Sequence, residues 1–168
     1  MRGILAAVVI VFATLAAGAD EEKKYTSKLG RFAVAFPAGS DVKHTKQMAN
    51  GLTMSMTVAE TQGKSHSVMY MIVPVTAKDV PAKTLIDGAE KGMVDKTGGK
   101  LLKSKDFTFG TRKYPSRESV VEKEGSKVRT WIIVAGLRVY VVLVAGPSDY
   151  ATGKDSQAFL DSFEITTR

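Results

Sequence analysis

A period of two runs through most of the chain. Over residues 31–37, Phe32, Val34 and Phe36 alternate with Ala33 and Ala35. That is the spacing of a strand with one face in a core, and Pro37 stops it because proline has no N–H for the ladder. Over 52–60, Leu52, Met54, Met56 and Val58 take one face while Thr53, Ser55 and Thr57 take the other. Residues 67–75 are apolar on both faces, with Val68, Tyr70 and Ile72 against Met69, Met71 and Val73. This predicts a central strand covered by helices. Shorter strands are expected at 23–28, as an edge or tail, and near 42–46. From residue 100 the pattern is a meander of strands at 100–109, 116–122, 127–134 and 138–145. Glu124-Gly125 and Ala135-Gly136 supply its turns.

One segment has a period near 3.6. Over 80–97, Leu85, Ile86, Ala89, Met93 and Val94 fall on one side of a helix; Lys83, Asp87, Glu90, Lys91 and Asp95 face water. Asp79 is the expected N-cap, and Gly98-Gly99 the expected end. Gly88 and Gly92 lie one turn apart inside it, each costing about 1 kcal/mol against alanine. Their expected use is a close approach of the helix to a sheet. A second helix is predicted at 154–162, with Ala158, Phe159 and Phe163 as its apolar contacts, and 164–168 trail off. The order of elements predicts an α+β sandwich with a mainly antiparallel β-sheet and two principal helices, 80–97 and 154–162.

The N-terminus follows neither period. Arg2 precedes an uncharged apolar run over 4–17, short of the roughly 20 residues that span a membrane. Ala17-Gly18-Ala19 then fits the small-residue pattern of a cleavable signal, with cleavage expected between Ala19 and Asp20. Residues 1–19 are read as a signal peptide and 20–168 as one domain, exported to a periplasm or secreted. No stable membrane insertion of the mature chain is expected.

Composition narrows the chemistry. There is no cysteine, so disulfides, thiol catalysis and thiolate metal sites are excluded. The net charge is +7, with basic and acidic residues interleaved. An exported basic chain points away from nucleic acid and toward a protein or an anionic envelope component.

The residues also carry a family likeness. Phe-Ala-Val-Ala-Phe-Pro at 32–37, the helix ending at Gly98-Gly99, Tyr140-Val141-Val142-Leu143-Val144, and Phe159-Leu160-Asp161-Ser162-Phe163 resemble the PsbP-like (PsbP/DcrB-type) exported domains over about 25–165. The resemblance implies an α/β/α sandwich around an antiparallel sheet. It also implies a domain that binds other proteins and does not catalyse. Many bacterial members are lipoproteins; no cysteine follows the leader here, so a soluble exported form is expected.

Candidate chemistry is sparse. Ser40-x-x-Lys43, Lys96-Thr97-Gly98 and Ser148-Asp149-Tyr150 mimic a penicillin-binding site, but in the wrong order and on the wrong elements. His44 and His66 have no ligand partner at helical spacing, so no zinc site is read. No catalytic residue and no cofactor is expected. Met54-x-Met56 and Met69-x-Met71 each put two thioethers on one strand face, with His66 just upstream. Soft thioethers select Cu(I), so a copper-binding or small-ligand periplasmic protein is the alternative; a core role is the plainer account of the methionines. Arg112, Lys113 and Arg117 flank Tyr114-Pro115 in an expected loop and form a candidate patch for an anionic partner. The reading is an exported, non-catalytic accessory or protein-interaction domain.

Overall fold

The computed structural model describes residues 23–49, 52–61 and 63–166; the expected leader and its Ala19–Asp20 junction lie outside them. Among these residues the strands form two antiparallel sheets. The larger has seven strands in the order β3-β4-β5-β9-β8-β7-β6. These are β3 (Asp41–Ala49), β4 (Leu52–Thr61), β5 (Lys64–Ile72), β6 (Lys100–Phe109), β7 (Tyr114–Lys123), β8 (Ser126–Ala135) and β9 (Arg138–Pro147). The smaller is β1-β2-β10, with β1 (Lys23–Ser27), β2 (Phe32–Phe36) and β10 (Glu164–Ile165). The helices are α1 (Ala82–Thr97), the single turn α2 (Ser148–Ala151) and α3 (Lys154–Asp161).

Local chemistry sets the meander. Lys123 pairs with Ser126 across Glu124-Gly125, and both turn residues have positive φ, 50° and 78°. That is the backbone a two-residue hairpin requires, and glycine takes it without strain. The next loop is Gly136-Leu137 between Ala135 and Arg138, one residue later than the pattern suggests. β8 and β9 are central, as their β-branched residues on both faces predict.

Each face of the large sheet has its own core. On one, Val68, Tyr70, Ile133, Tyr140, Val142 and Val144 pack with Phe32, Val34 and Phe36 of β2 and with Phe159, Leu160 and Phe163. The small sheet and α3 therefore form one outer layer. On the other face, Ile86 of α1 packs with Val73, Ile132, Val134 and Val139. α1 lies over β7 and β8. This is the predicted α+β sandwich. The fold adds a second sheet that the pattern alone did not suggest: residues 164–168 were expected to trail off, yet Glu164 and Ile165 pair with Ala33 and Phe32.

Two helix expectations are corrected. Pro81, and not Asp79, stands at the N-cap, with no side-chain hydrogen bond there. Gly98 closes the C-terminus in the left-handed region, as expected. Gly88 and Gly92 do not face the sheet. Both are exposed, and a Cβ added at either meets nothing within 4 Å. The close approach is at Gly99, where a Cβ would lie 2.6 Å from the Glu122 carbonyl oxygen. Gly88→Ala and Gly92→Ala are each expected to raise stability by about 0.5–1 kcal/mol, since alanine restricts the unfolded chain and fits the helix. Urea midpoints that fall or stay unchanged in both variants would contradict this placement.

Candidate functional site

Strand alternation turns Arg117 inward. It lies on β7, within the strand expected over 116–122 and apart from the loop in which it was grouped with Arg112 and Lys113, and its side chain is 8% exposed. Its guanidinium donates to Asp106 at 2.6 Å, to Asp87 at 2.7 Å and to Glu90 at 3.0 Å. Glu90 also accepts from Ser104 and Ser119. Hydrogen bonds from Arg117, and for Asp87 also from Lys83, hold the carboxyls of Asp106 and Asp87 below the usual range. The same pairs, the one to Asp106 foremost, push the Arg117 guanidinium further up. This network clamps α1 to β6 and β7. Arg112 and Lys113 remain exposed in the preceding turn, with Lys113 at φ 52°. The structure thus separates Arg117 from the other two members of the candidate patch.

On the opposite face Glu118 lies between Lys103 and Arg129, and Arg129 also reaches Gln157 of α3. Burial pushes Glu118 up, but the hydrogen bonds from Lys103 and Arg129 outweigh it and its carboxyl sits low. The guanidinium groups of Arg117 and Arg129 are therefore consumed by structural pairs.

The two histidines meet different partners. His44 is exposed on β3, 3.1 Å from the Thr57 hydroxyl and beside the Tyr25 ring. His66 is 1% exposed on β5. Its Nε2 shares a 2.8 Å hydrogen bond with the Tyr150 hydroxyl, and its ring meets Phe159 edge-on at 4.9 Å. Its Nδ1 is buried without a partner among the described residues. Burial first, then the Lys64 ammonium, lowers His66 from 6.5 to about 4, so the ring is neutral at ordinary pH. Lys64 stands 4.1 Å over the Tyr150 ring. These residues line a cleft of about 330 Å³ with Pro37, Asp155 and Ala158. Among the described residues no carboxylate is paired with the Nδ1 of His66, the contact that orients the imidazole of a Ser-His-Asp relay. Sequence spacing gave no sign of this pair, because 84 positions separate its members.

The methionines come together. β4 and β5 pair with Met54 opposite Met71 and Met56 opposite Met69. One more strand across, Met69 lies opposite Val141 and Ser67 opposite Leu143. All of these side chains project from the α1 face of the sheet by alternation. Met54, Met56, Val58, Met69, Met71, Val141 and Leu143 are half-buried, whereas Ile132 and Thr130 in the next strand are fully covered. α1 shields the β7–β8 half of this face and leaves the β4–β5–β9 half partly open. Among the described residues no group of three or more His, Cys, Asp or Glu is placed to hold a metal, so these thioethers are the soft donors the surface offers. No helix among the described residues is long and apolar enough to cross a membrane.

No protein-family model matches the chain, and no curated protein matches it. The architecture does have a match. The solution structure of cyanobacterial PsbP (CyanoP) from Synechocystis sp. PCC 6803 superposes with a TM-score of 0.64, covering 89% of this chain and 95% of that one, at 14% identity. Sequence likeness at that level is too low to carry function, and function resides in sites, not folds. What the superposition establishes, together with the layers and strand order above, is that this chain has the PsbP-like fold.

Proposed function

We propose that this chain is an exported, non-catalytic accessory domain that binds another protein through the open half of its α1 face. One observation carries the reading. Met54, Met56, Val58, Met69, Val141 and Leu143 form a contiguous, partly buried apolar surface with no element of the described chain packed squarely over it. Contiguous apolar patches on a monomer mark interaction sites more often than chance, and methionine lets such a surface adapt to its partner. The commitment of Arg117, Glu118 and Arg129 to internal pairs supports a binding role over a catalytic one. The apolar run at 4–17 followed by Ala17-Gly18-Ala19 supports export.

A photoreactive amino acid placed at Val58 or Leu143 in the producing cell tests this. A discrete protein adduct is expected at both positions and none at Lys91, on the outer side of α1. No adduct at Val58 and Leu143, or equal adducts at Lys91, would overturn the reading. N-terminal sequencing of the recovered protein is expected to begin at Asp20; a start at Met1 would remove the export element.

A further inference from the structure

We propose that Met54, Met56, Met69 and Met71 together form a binding site for one soft monovalent cation, Cu(I). The register carries the argument. Two cross-strand pairs, Met54 with Met71 and Met56 with Met69, occupy successive same-face positions of adjacent antiparallel strands. Their backbone positions mark a rectangle about 5 Å by about 7 Å, with its centre about 4 Å from each corner. A methionine side chain has three rotatable bonds and spans that distance, so three or four sulfurs can reach one point above the sheet.

The placement also argues against packing as the whole reason for these residues. Methionine is not among the side chains that strands favour; a half-buried strand face is better fitted by β-branched or aromatic residues. The next strand does this with Val141. The buried positions under α1 are filled by Ile132, Val134 and Val139, and Met93 of α1, itself partly buried, accepts a hydrogen bond from Thr130 at 2.8 Å. The four clustered methionines instead sit at the margin of that core, where all four are half-buried. Neutral thioethers in an apolar setting favour a soft monovalent ion over hard divalent cations, which seek oxygen ligands. His66 does not join them. It lies on the other face, held by Tyr150.

This site uses the same surface as the protein-binding reading but does not rest on it, and its test needs no partner protein. The full exported chain is titrated with Cu(I) under a reducing atmosphere against a chromogenic Cu(I) chelator. One Cu(I) per chain, retained at micromolar chelator, is expected. Met56→Leu combined with Met69→Leu, a nearly volume-conserving change, should weaken retention at least tenfold while the circular dichroism spectrum stays the same. Should that variant fold poorly, Met54→Leu at the outermost corner should weaken retention severalfold in a folded chain. Ag(I), which mimics Cu(I) without redox chemistry, should shift the methyl resonances of these four methionines and not that of Met93. Transfer of all Cu(I) to the chelator, or equal retention by Met56→Leu/Met69→Leu and wild type, overturns the site. Adduct formation at Val58 and Leu143 stands or falls separately.

Discussion

Phe163→Ala is expected to lower stability by about 4 kcal/mol, a change of the size seen when a large buried aromatic is truncated. Phe163 is 2% exposed, and three aromatic rings surround it: Phe32 at 5.7 Å, Phe109 at 5.7 Å and Tyr140 at 5.5 Å. Phe32 belongs to the small sheet; Tyr140 and Phe109 belong to the large one. Phe163 is therefore the ring at which the layers meet. Its removal leaves a cavity lined by rigid rings that relax poorly, and it forfeits an edge-on contact with Tyr140 and tilted contacts with Phe32 and Phe109, worth more than their area. For a domain of this size the melting temperature should fall by about 10 °C. Phe163→Leu fills part of the space and should lose about half as much. A fall of less than about 3 °C in Phe163→Ala would show that the layers do not depend on this ring.

The second large effect follows from His66. An unfolded chain protonates this histidine near 6.5, the folded chain only near 4. The folded state thus prefers the neutral ring. Its advantage is complete above pH 6.5 and is lost as pH falls from 6.5 to 4, by about 3 kcal/mol in all, of which about 2 kcal/mol is gone by pH 5. The cause is burial, reinforced by the Lys64 ammonium. A second ring proton would also place an N–H on both nitrogens, and only Nε2 has a partner among the described residues. Asp87, Asp106 and Glu118, also depressed, begin to cost stability only as pH falls through their ordinary values of 3.8 and 4.5, below most of this window. Urea midpoints measured from pH 7.5 to 5 should therefore fall in the wild type. His66→Gln keeps a group for Tyr150 but cannot titrate, and its midpoint should be nearly flat over the same range. A flat wild-type profile would contradict the burial of His66.

Much of the fold was legible because its signals are local. The alternation of Phe32, Val34 and Phe36, the helical stripe around Ile86, and the turn at Glu124-Gly125 each lie within a few residues. What was not legible depends on distant pairing. β10 is two residues long, too short for a periodicity, and β2 is its partner from the far end of the chain. Arg117 looked like part of a basic loop because Arg112 and Lys113 are near in sequence. Its acidic partners Asp87 and Glu90 lie on α1, 30 and 27 positions earlier. Gly88 and Gly92 looked like a packing device, but helix phase alone does not say which side meets the sheet once polar residues flank both. The methionine pairs were visible singly; that they stand opposite one another needed the β4–β5 register.

The β2–β10 pairing sets an order of events during synthesis. Phe32 and Phe36 are fully buried, yet Ala33 finds its β10 neighbour, Glu164, only near the chain's end. A ribosome working from the N-terminus makes β2 first and β10 almost last. Until then the aromatic layer lacks Phe159 and Phe163, and the nascent chain has no complete core on that face. Closing contacts of such long sequence separation is slow and comes late. The core on this face is therefore completed only once residues 159–165 are present, whereas the α1-side core, whose buried residues run from Val73 to Val139, needs none of them.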